Sequence, residues 1–150
     1  DFTTYTGEID AKNISNYLKD ADLFIHLGWL DVCPNSVIEA IASGVPVVCS
    51  NQGGTPEIIE KTKFGRVAIC DVKVNYEGLV DLYNPPDPNI KKIVKEAEYI
   101  FNNYESLISS SDRSFIDIRN NPFLVLISTL LFSNSLTTTL VLQVVKSETS

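Results

Sequence analysis

Leu23-Phe24-Ile25-His26-Leu27-Gly28, the loop Trp29 to Asn35, Ser36-Val37-Ile38-Glu39-Ala40-Ile41-Ala42-Ser43-Gly44 and Val45-Pro46-Val47-Val48-Cys49 form the passage whose reading decides the fold. Leu23 to Leu27 is a near-continuous apolar run that Gly28 releases into a loop, the pattern of a strand buried on both faces of a parallel sheet. Ser36 is a fair N-cap, and Val37, Ile38, Ala40, Ile41 and Ala42 predict a tight apolar helix stopped by Gly44. Val45 to Cys49 predicts a second buried strand, with Pro46 near its first position, where a missing N–H is tolerated. A strand, a helix of about 10 residues and another strand make a right-handed βαβ unit.

The same alternation extends both ways along the chain. Phe2-Thr3-Thr4-Tyr5-Thr6 is β-branched and aromatic and ends at Gly7, as a short strand does. Asp10 can cap a helix in which Ile14, Tyr17 and Leu18 recur at helical spacing before Lys19-Asp20. Downstream, Asn51-Gln52-Gly53-Gly54 is a turn, Thr55-Pro56-Glu57 opens a third helix with Pro in its first turn, and Arg66 to Cys70 is one more strand after Gly65. The fold class is α/β, a Rossmann-like doubly wound parallel sheet. After Pro85-Pro86-Asp87-Pro88 a long helix is expected from Asn89 to about Ser109, with Ile90, Val94, Ala97, Ile100 or Phe101, and Tyr104 as its apolar stripe.

Composition bounds what such a chain can do. With 150 residues, 44% of them hydrophobic and 21% charged, it is long enough for one core and too apolar for a disordered protein. The net charge of −7 has the wrong sign for a partner of nucleic acid, which rewards cations that release phosphate counterions. Residues 1–110 hold nine basic and sixteen acidic side chains, whereas residues 111–150 hold three of each. Two regions are therefore expected: an acidic region at 1–110 and an atypical apolar, Ser/Thr-rich tail at 111–150. In that tail residues 123–145 carry no charge, yet only 14 of those 23 are strongly apolar. Three readings stay open for it: a marginal membrane span, buried structure completing the fold, or out-of-frame sequence. Cys33, Cys49 and Cys70 are odd in number and lack the short paired spacing of zinc sites, so reduced thiols and no metal are expected. The chain starts at Asp1 and contains no Met, and it reads as a fragment.

The chemistry centres on two carboxylates. Asp31 and Glu39 have seven residues between them, and Glu39 stands about one turn into the helix that follows the loop. That loop leaves the carboxyl end of a parallel strand, where open α/β sheets place their ligands, and the helix start behind it offers unpaired N–H groups to an anion. A diphosphate fits there on the backbone near Ser36 and Val37, and a carboxylate at Glu39 can accept two hydrogen bonds from a ribose diol. Other residues carry competing readings. His26, the one histidine, is expected as a hydrogen-bonded residue at a strand end rather than a general base. Cys33 has no His beside it in sequence and reads as loop filling. Trp29 is either a stacking platform or a loop anchor, and Glu57 either a helix-end charge or a ligand contact. Gly53 and Gly54 serve either a turn with positive φ or a close backbone approach to a ligand.

Ala21 to His26, Asp31 to Val48 with its acid-x7-Glu pair and Ala-x-Ala-x-Gly-x-Pro-Val-Val run, and the turn Gly53-Gly54-Thr55-Pro56-Glu57 together resemble the donor-binding, C-terminal half of GT-B glycosyltransferases of family 4, the glycosyl transferases group 1. The resemblance spans roughly residues 6–70, and it implies that residues 1–110 are a partial nucleotide-sugar (donor) binding domain. It implies a retaining glycosyltransferase that moves a sugar from a nucleoside diphosphate sugar to an acceptor, without a metal or other cofactor. Carried over position by position, it makes Asp31 the catalytic residue, a carboxylate beside the donor sugar that helps hold its hydroxyls, and Glu39 the ligand of the ribose hydroxyls. Asn35, Ser36 and Val37 then supply phosphate contacts, and Gly53 and Gly54 complete the donor-binding set. Asp31 stands where the family usually has Glu, one methylene longer, and Val32-Cys33-Pro34 replaces a common Gly-Phe-Gly. The family's Arg and Lys clamp on the diphosphate and its N-terminal acceptor domain precede the part matched here, so the chain by itself is not expected to transfer sugar.

The resemblance leaves donor base, sugar and acceptor open. Cytoplasmic placement is the default, with peripheral membrane attachment as the variant for a lipid acceptor. The alternatives are a nucleotide-sugar epimerase-like enzyme and a non-catalytic module that binds a nucleotide sugar or a protein on the same fold. A dehydrogenase is disfavoured because no Gly-x-Gly-x-x-Gly follows a strand.

Overall fold

A computed structural model describes residues 3–71, 77–78 and 84–110, and the backbone of two further strands, 124–131 and 139–146. In chain order the elements are β1 (Thr3–Tyr5), α1 (Ala11–Lys19), β2 (Leu23–His26), α2 (Asn35–Ala42), β3 (Val47–Ser50), α3 (Thr55–Thr62), β4 (Gly65–Ala68), α4 (Ile90–Asn102), α5 (Tyr104–Ser110), β5 (Leu124–Leu131) and β6 (Thr139–Lys146). The sheet order is β1-β6-β5-β2-β3-β4. β5, β2, β3 and β4 run parallel, with Phe24 opposite Val47 and Leu126, and Val48 opposite Arg66. The α/β class with a parallel sheet flanked by helices is therefore as expected.

Local chemistry sets most element ends. Asp10 caps α1 by accepting from the Lys12 N–H at 3.2 Å, and Gly44 ends the turn after α2 at φ 77°. α2 begins one residue earlier than the Ser36 cap predicts. Pro34 occupies the cap position without a side-chain bond, and its carbonyl accepts from the N–H groups of Val37 and Ile38. The fixed φ of proline already suits a helix entry, so a hydroxyl cap is dispensable. Pro46 lies just before β3, where its carbonyl accepts from the Phe24 N–H at 2.9 Å.

Alternation along the strands sends side chains to two cores. Phe24, Val47 and Cys49 join Leu18 of α1 and Val37, Ala40 and Ile41 of α2 on one face. Leu23, Ile25, Val48 and Ala68 join Ile93, Ala97 and Ile100 of α4 on the other. Burying each Val, Leu, Ile or Phe contributes about 1.5–3 kcal/mol, and β2 and β3 are buried at all four positions. The α4 stripe is thus Ile93-Ala97-Ile100, while Ile90 and Val94 stay exposed. Two overlapping i, i+3, i+4 series exist in that segment, and the sheet selects the one that covers β3 and β4. The single long helix of the sequence reading is two, broken at Asn103, whose side chain donates to the Tyr99 carbonyl at 2.8 Å.

β1 is a second correction to the simple alternating picture. It pairs antiparallel with β6, two places away from β2, and β6 pairs antiparallel with β5. Short β1 has only three residues of ladder, so strand length favours the long β5–β6 hairpin as the neighbour of β2. Phe2 and residues 111–123, 132–138 and 147–150 of the tail lie outside the described residues, as does the expected boundary after 110. Among the described residues no helix is long and apolar enough to cross a membrane.

Polar groups hold α4 to the sheet. The Arg66 Nε donates to Glu96 Oε2 at 2.7 Å, and its guanidinium lies 4.3 Å from the centre of the Tyr99 ring. Lys92 pairs with Asp71, and the Asn89 side chain also bonds Asp71 at 2.8 Å. At the amino end of β2, Asp22 has a buried Oδ2 without a partner, and loss of water pushes its carboxyl up to about 7.

Candidate functional site

The carboxyl ends of β2 and β3 carry every residue singled out for chemistry. The loop after β2 turns at Asp31, whose Oδ1 accepts from the Cys33 N–H at 3.1 Å, the turn that Asp side chains favour. Asp31 is half-buried. Its backbone carbonyl accepts from the Gly54 N–H at 2.9 Å, which ties this loop to the turn between β3 and α3.

Gly53 and Gly54 owe their identity to that contact. Gly53 has φ 68°, and a Cβ there would stand 2.6 Å from the Asp31 carbonyl oxygen. Gly54 has an ordinary φ of −93°, yet its Cβ would stand 1.7 Å from the Val32 carbonyl oxygen. Both glycines thus allow a close approach to the neighbouring loop, and the positive φ of a turn applies to Gly53 alone.

Behind the loop, α2 buries Val37, Ala40 and Ile41 and leaves Asn35, Ile38 and Glu39 exposed. Asn35 and Glu39 are four residues apart, so they share one face of the helix at its amino end. The N–H groups of Asn35 and Ser36 precede the first intrahelical bond. The Val37 N–H donates to the Pro34 carbonyl at 3.1 Å, so the remaining backbone hydrogen-bond donors of this turn are those of Asn35 and Ser36. Asp31, Asn35, Ser36, Glu39, Gly53 and Gly54 thus come together at one end of the sheet.

His26 ends β2 beneath this loop. It is 1% exposed, stacks on Phe24 with ring centres 6.4 Å apart, and has no hydrogen-bond partner at Nδ1 or Nε2 among the described residues. The hydrogen-bonded strand-end histidine expected from sequence is at the strand end, but unpartnered. Burial lowers its pKa below the usual 6.5, opposed in part by the negative charge of Asp31. Thr55, 1% exposed at the start of α3, has an unpartnered Oγ1 as well. The sequence reading used Thr55 only as a helix start, and no local pattern signals a buried hydroxyl left open.

Trp29 is buried and anchors the loop. Glu57 pairs with Lys61 at 2.7 Å along α3. Cys33 is an exposed free thiol, whereas Cys49 is buried and its thiol is pushed up to about 12 by loss of water, with Cys70 nearby adding to the shift. A cavity of about 420 Å3 beside Lys63, Arg66 and Tyr99 lies at the amino end of β4, away from Asp31.

Comparison with known proteins gives the family of the chain. The family described as glycosyl transferases group 1 matches residues 1–84, more than half of the chain, and the chain belongs to that family. A Bacillus subtilis (strain 168) protein named as a glycosyltransferase of teichuronic acid biosynthesis is 38% identical over 56 residues, which is 37% of this chain and 14% of that protein. Spore coat protein SA of the same organism is 32% identical over 68 residues, 45% of this chain and 18% of the relative. A GDP-mannose-dependent alpha-mannosyltransferase of Mycolicibacterium smegmatis is 30% identical over 67 residues, 45% of this chain and 18% of the relative. The matched stretch spans less than a fifth of these relatives' lengths. No solved structure matches.

Proposed function

We propose that this chain carries part of the sugar-donor site of a retaining glycosyltransferase that uses a nucleoside diphosphate sugar, the acceptor being held by protein outside this chain. The observation that carries the reading is the junction of Asp31 with the exposed amino-end face of α2, where Asn35 and Glu39 stand one turn apart. The N–H groups of Asn35 and Ser36 bind the diphosphate at the positive end of the helix, and Gly53 and Gly54 hold the loop in place beside it. Glu39 accepts hydrogen bonds from the ribose diol. Asp31, held by the Cys33 N–H, orients hydroxyls of the donor sugar. Bond cleavage at the anomeric carbon puts negative charge on the departing diphosphate, and fixed N–H dipoles at α2 stabilise that charge without reorganising. The names of relatives in teichuronic acid biosynthesis and in GDP-mannose-dependent mannosyl transfer support this class of reaction. The chain alone binds the donor nucleotide but does not transfer sugar, and no step of this reading needs a metal.

Titration of the full chain with UDP, GDP and ADP, followed by amide chemical shifts, tests the reading. One nucleotide is expected to shift the amides of Asn35 and Ser36. Glu39→Ala removes up to two charge-assisted bonds to the ribose, about 2–4 kcal/mol together, and so weakens binding at least tenfold. Glu39 is exposed, so the melting temperature stays unchanged. Equal binding by both proteins removes Glu39 from the site and the reading with it.

A further inference from the structure

Among the described residues, three of the four buried side-chain polar atoms without a partner lie at the carboxyl end of the sheet: both ring nitrogens of His26 and the Oγ1 of Thr55. A buried donor or acceptor left unmade is costly, so a fold that holds an imidazole in this state calls for a partner that arrives. Position identifies that partner. Along β2 alternate residues share a face, so His26 points to the side of Phe24, the side covered by Val37, Ala40 and Ile41 of α2. It is the last residue of β2, from which the 27–34 loop leads into the first turn of α2. An anion seated at the Asn35 and Ser36 N–H groups is therefore at the same end of the sheet as this ring.

We infer that His26 is a further ligand of the site, donating a ring N–H to an oxygen of the bound diphosphate; this rests on the donor-site reading above. The neutral ring has one N–H to give and one nitrogen to accept, so it binds an anionic oxygen without bringing a full charge into the core. Thr55 at the start of α3 flanks the same end of the sheet with a second open hydroxyl. Because the ring is covered in the ligand-free chain, the contact requires the 27–34 loop to shift as the diphosphate enters. That loop is tied to the β3–α3 turn by the Gly54–Asp31 hydrogen bond.

The chain has one histidine, so its ring nitrogens give a single set of signals in a long-range 15N correlation spectrum. Titration with UDP, GDP and ADP is expected to move those signals with the nucleotide that binds, while the matching nucleoside, which lacks phosphates, leaves them in place. His26→Phe keeps an aromatic ring beside Phe24 and is expected to weaken diphosphate binding about tenfold, with part of the loss restored in His26→Gln. Nucleotide binding that depends on Glu39 but leaves the ring signals unmoved overturns this inference alone and leaves the donor site standing. A ring N–H that exchanges slowly in the ligand-free chain means the imidazole is already bonded, and overturns it whatever the nucleotides do. Absence of any nucleotide response removes both.

Discussion

Replacing Gly54 by alanine adds one methyl group to a position whose backbone angles alanine accepts, φ −93° and ψ −11°, so conformational strain contributes nothing. The whole effect comes from what the methyl meets. Its carbon would sit 1.7 Å from the Val32 carbonyl oxygen and 2.6 Å from the carbonyl carbon, both backbone atoms that no side-chain rotation can move aside. Restoring an ordinary contact of 3.4 Å requires the two turns to part by about 1.7 Å. A movement of that size breaks the 2.9 Å hydrogen bond from the Gly54 N–H to the Asp31 carbonyl. The lost bond contributes about 0.5–1.5 kcal/mol and the overpacking about 1–3 kcal/mol, for a total of roughly 2–4 kcal/mol. For a chain of this length that lowers the melting temperature by about 5–15 °C. Urea denaturation with amide spectra of residues 31–33 is the assay. Gly7→Ala is the control: φ is 67° there and nothing lies within 4 Å, so it costs about 1–2 kcal/mol of backbone strain and leaves residues 31–33 unshifted. A Gly54→Ala chain destabilised by less than about 1 kcal/mol, with unmoved Asp31 and Cys33 amides, refutes the packing of these two turns.

Two further outcomes test the frame around the site. The raised pKa of Asp22 means that the folded chain keeps a proton which the unfolded chain releases above 3.8, so this carboxyl contributes most stability below about pH 4 and loses it as pH rises to 7. Asp22→Asn is therefore expected to be more stable than the native chain at pH 8, by about 1–2 kcal/mol after allowance for solvent screening, and equal to it near pH 4; equal stability at both values speaks against the buried carboxyl. Arg66→Ala loses the Glu96 pair and the Tyr99 ring contact, about 1–2 kcal/mol in all, and a double-mutant cycle with Glu96→Gln should return a coupling of about 0.5–1 kcal/mol. Zero coupling in that cycle means the pair does not hold α4 to β4.

Much of the site was legible in the residues themselves. An apolar run closed by Gly28, a helix closed by Gly44 and a run from Val45 to Cys49 encode a strand, a helix and a strand through their own period and turn residues. That unit puts the 29–34 loop at the carboxyl end of the sheet and Glu39 a turn beyond it. These are local relations, and neighbours in sequence carry them. Contacts between distant segments were not legible. The reason that residues 53 and 54 must both be glycine lies in the backbone of Asp31 and Val32, some twenty residues away, and the α4 stripe was chosen by β3 and β4 from two series of equal periodicity. β1 gave no local sign that it would pair with residues 143–145 rather than with its sequence neighbour β2. The unpartnered state of His26 is of the same kind, because a hydrogen bond is made or missed by atoms that only the packed fold brings within reach. The sequence by itself determined which segments are strands and helices and which carboxylates stand at the loop; tertiary packing alone decided strand neighbours, the buried face of α4 and which buried polar atoms were left open, since these depend on distances between segments that no local pattern records.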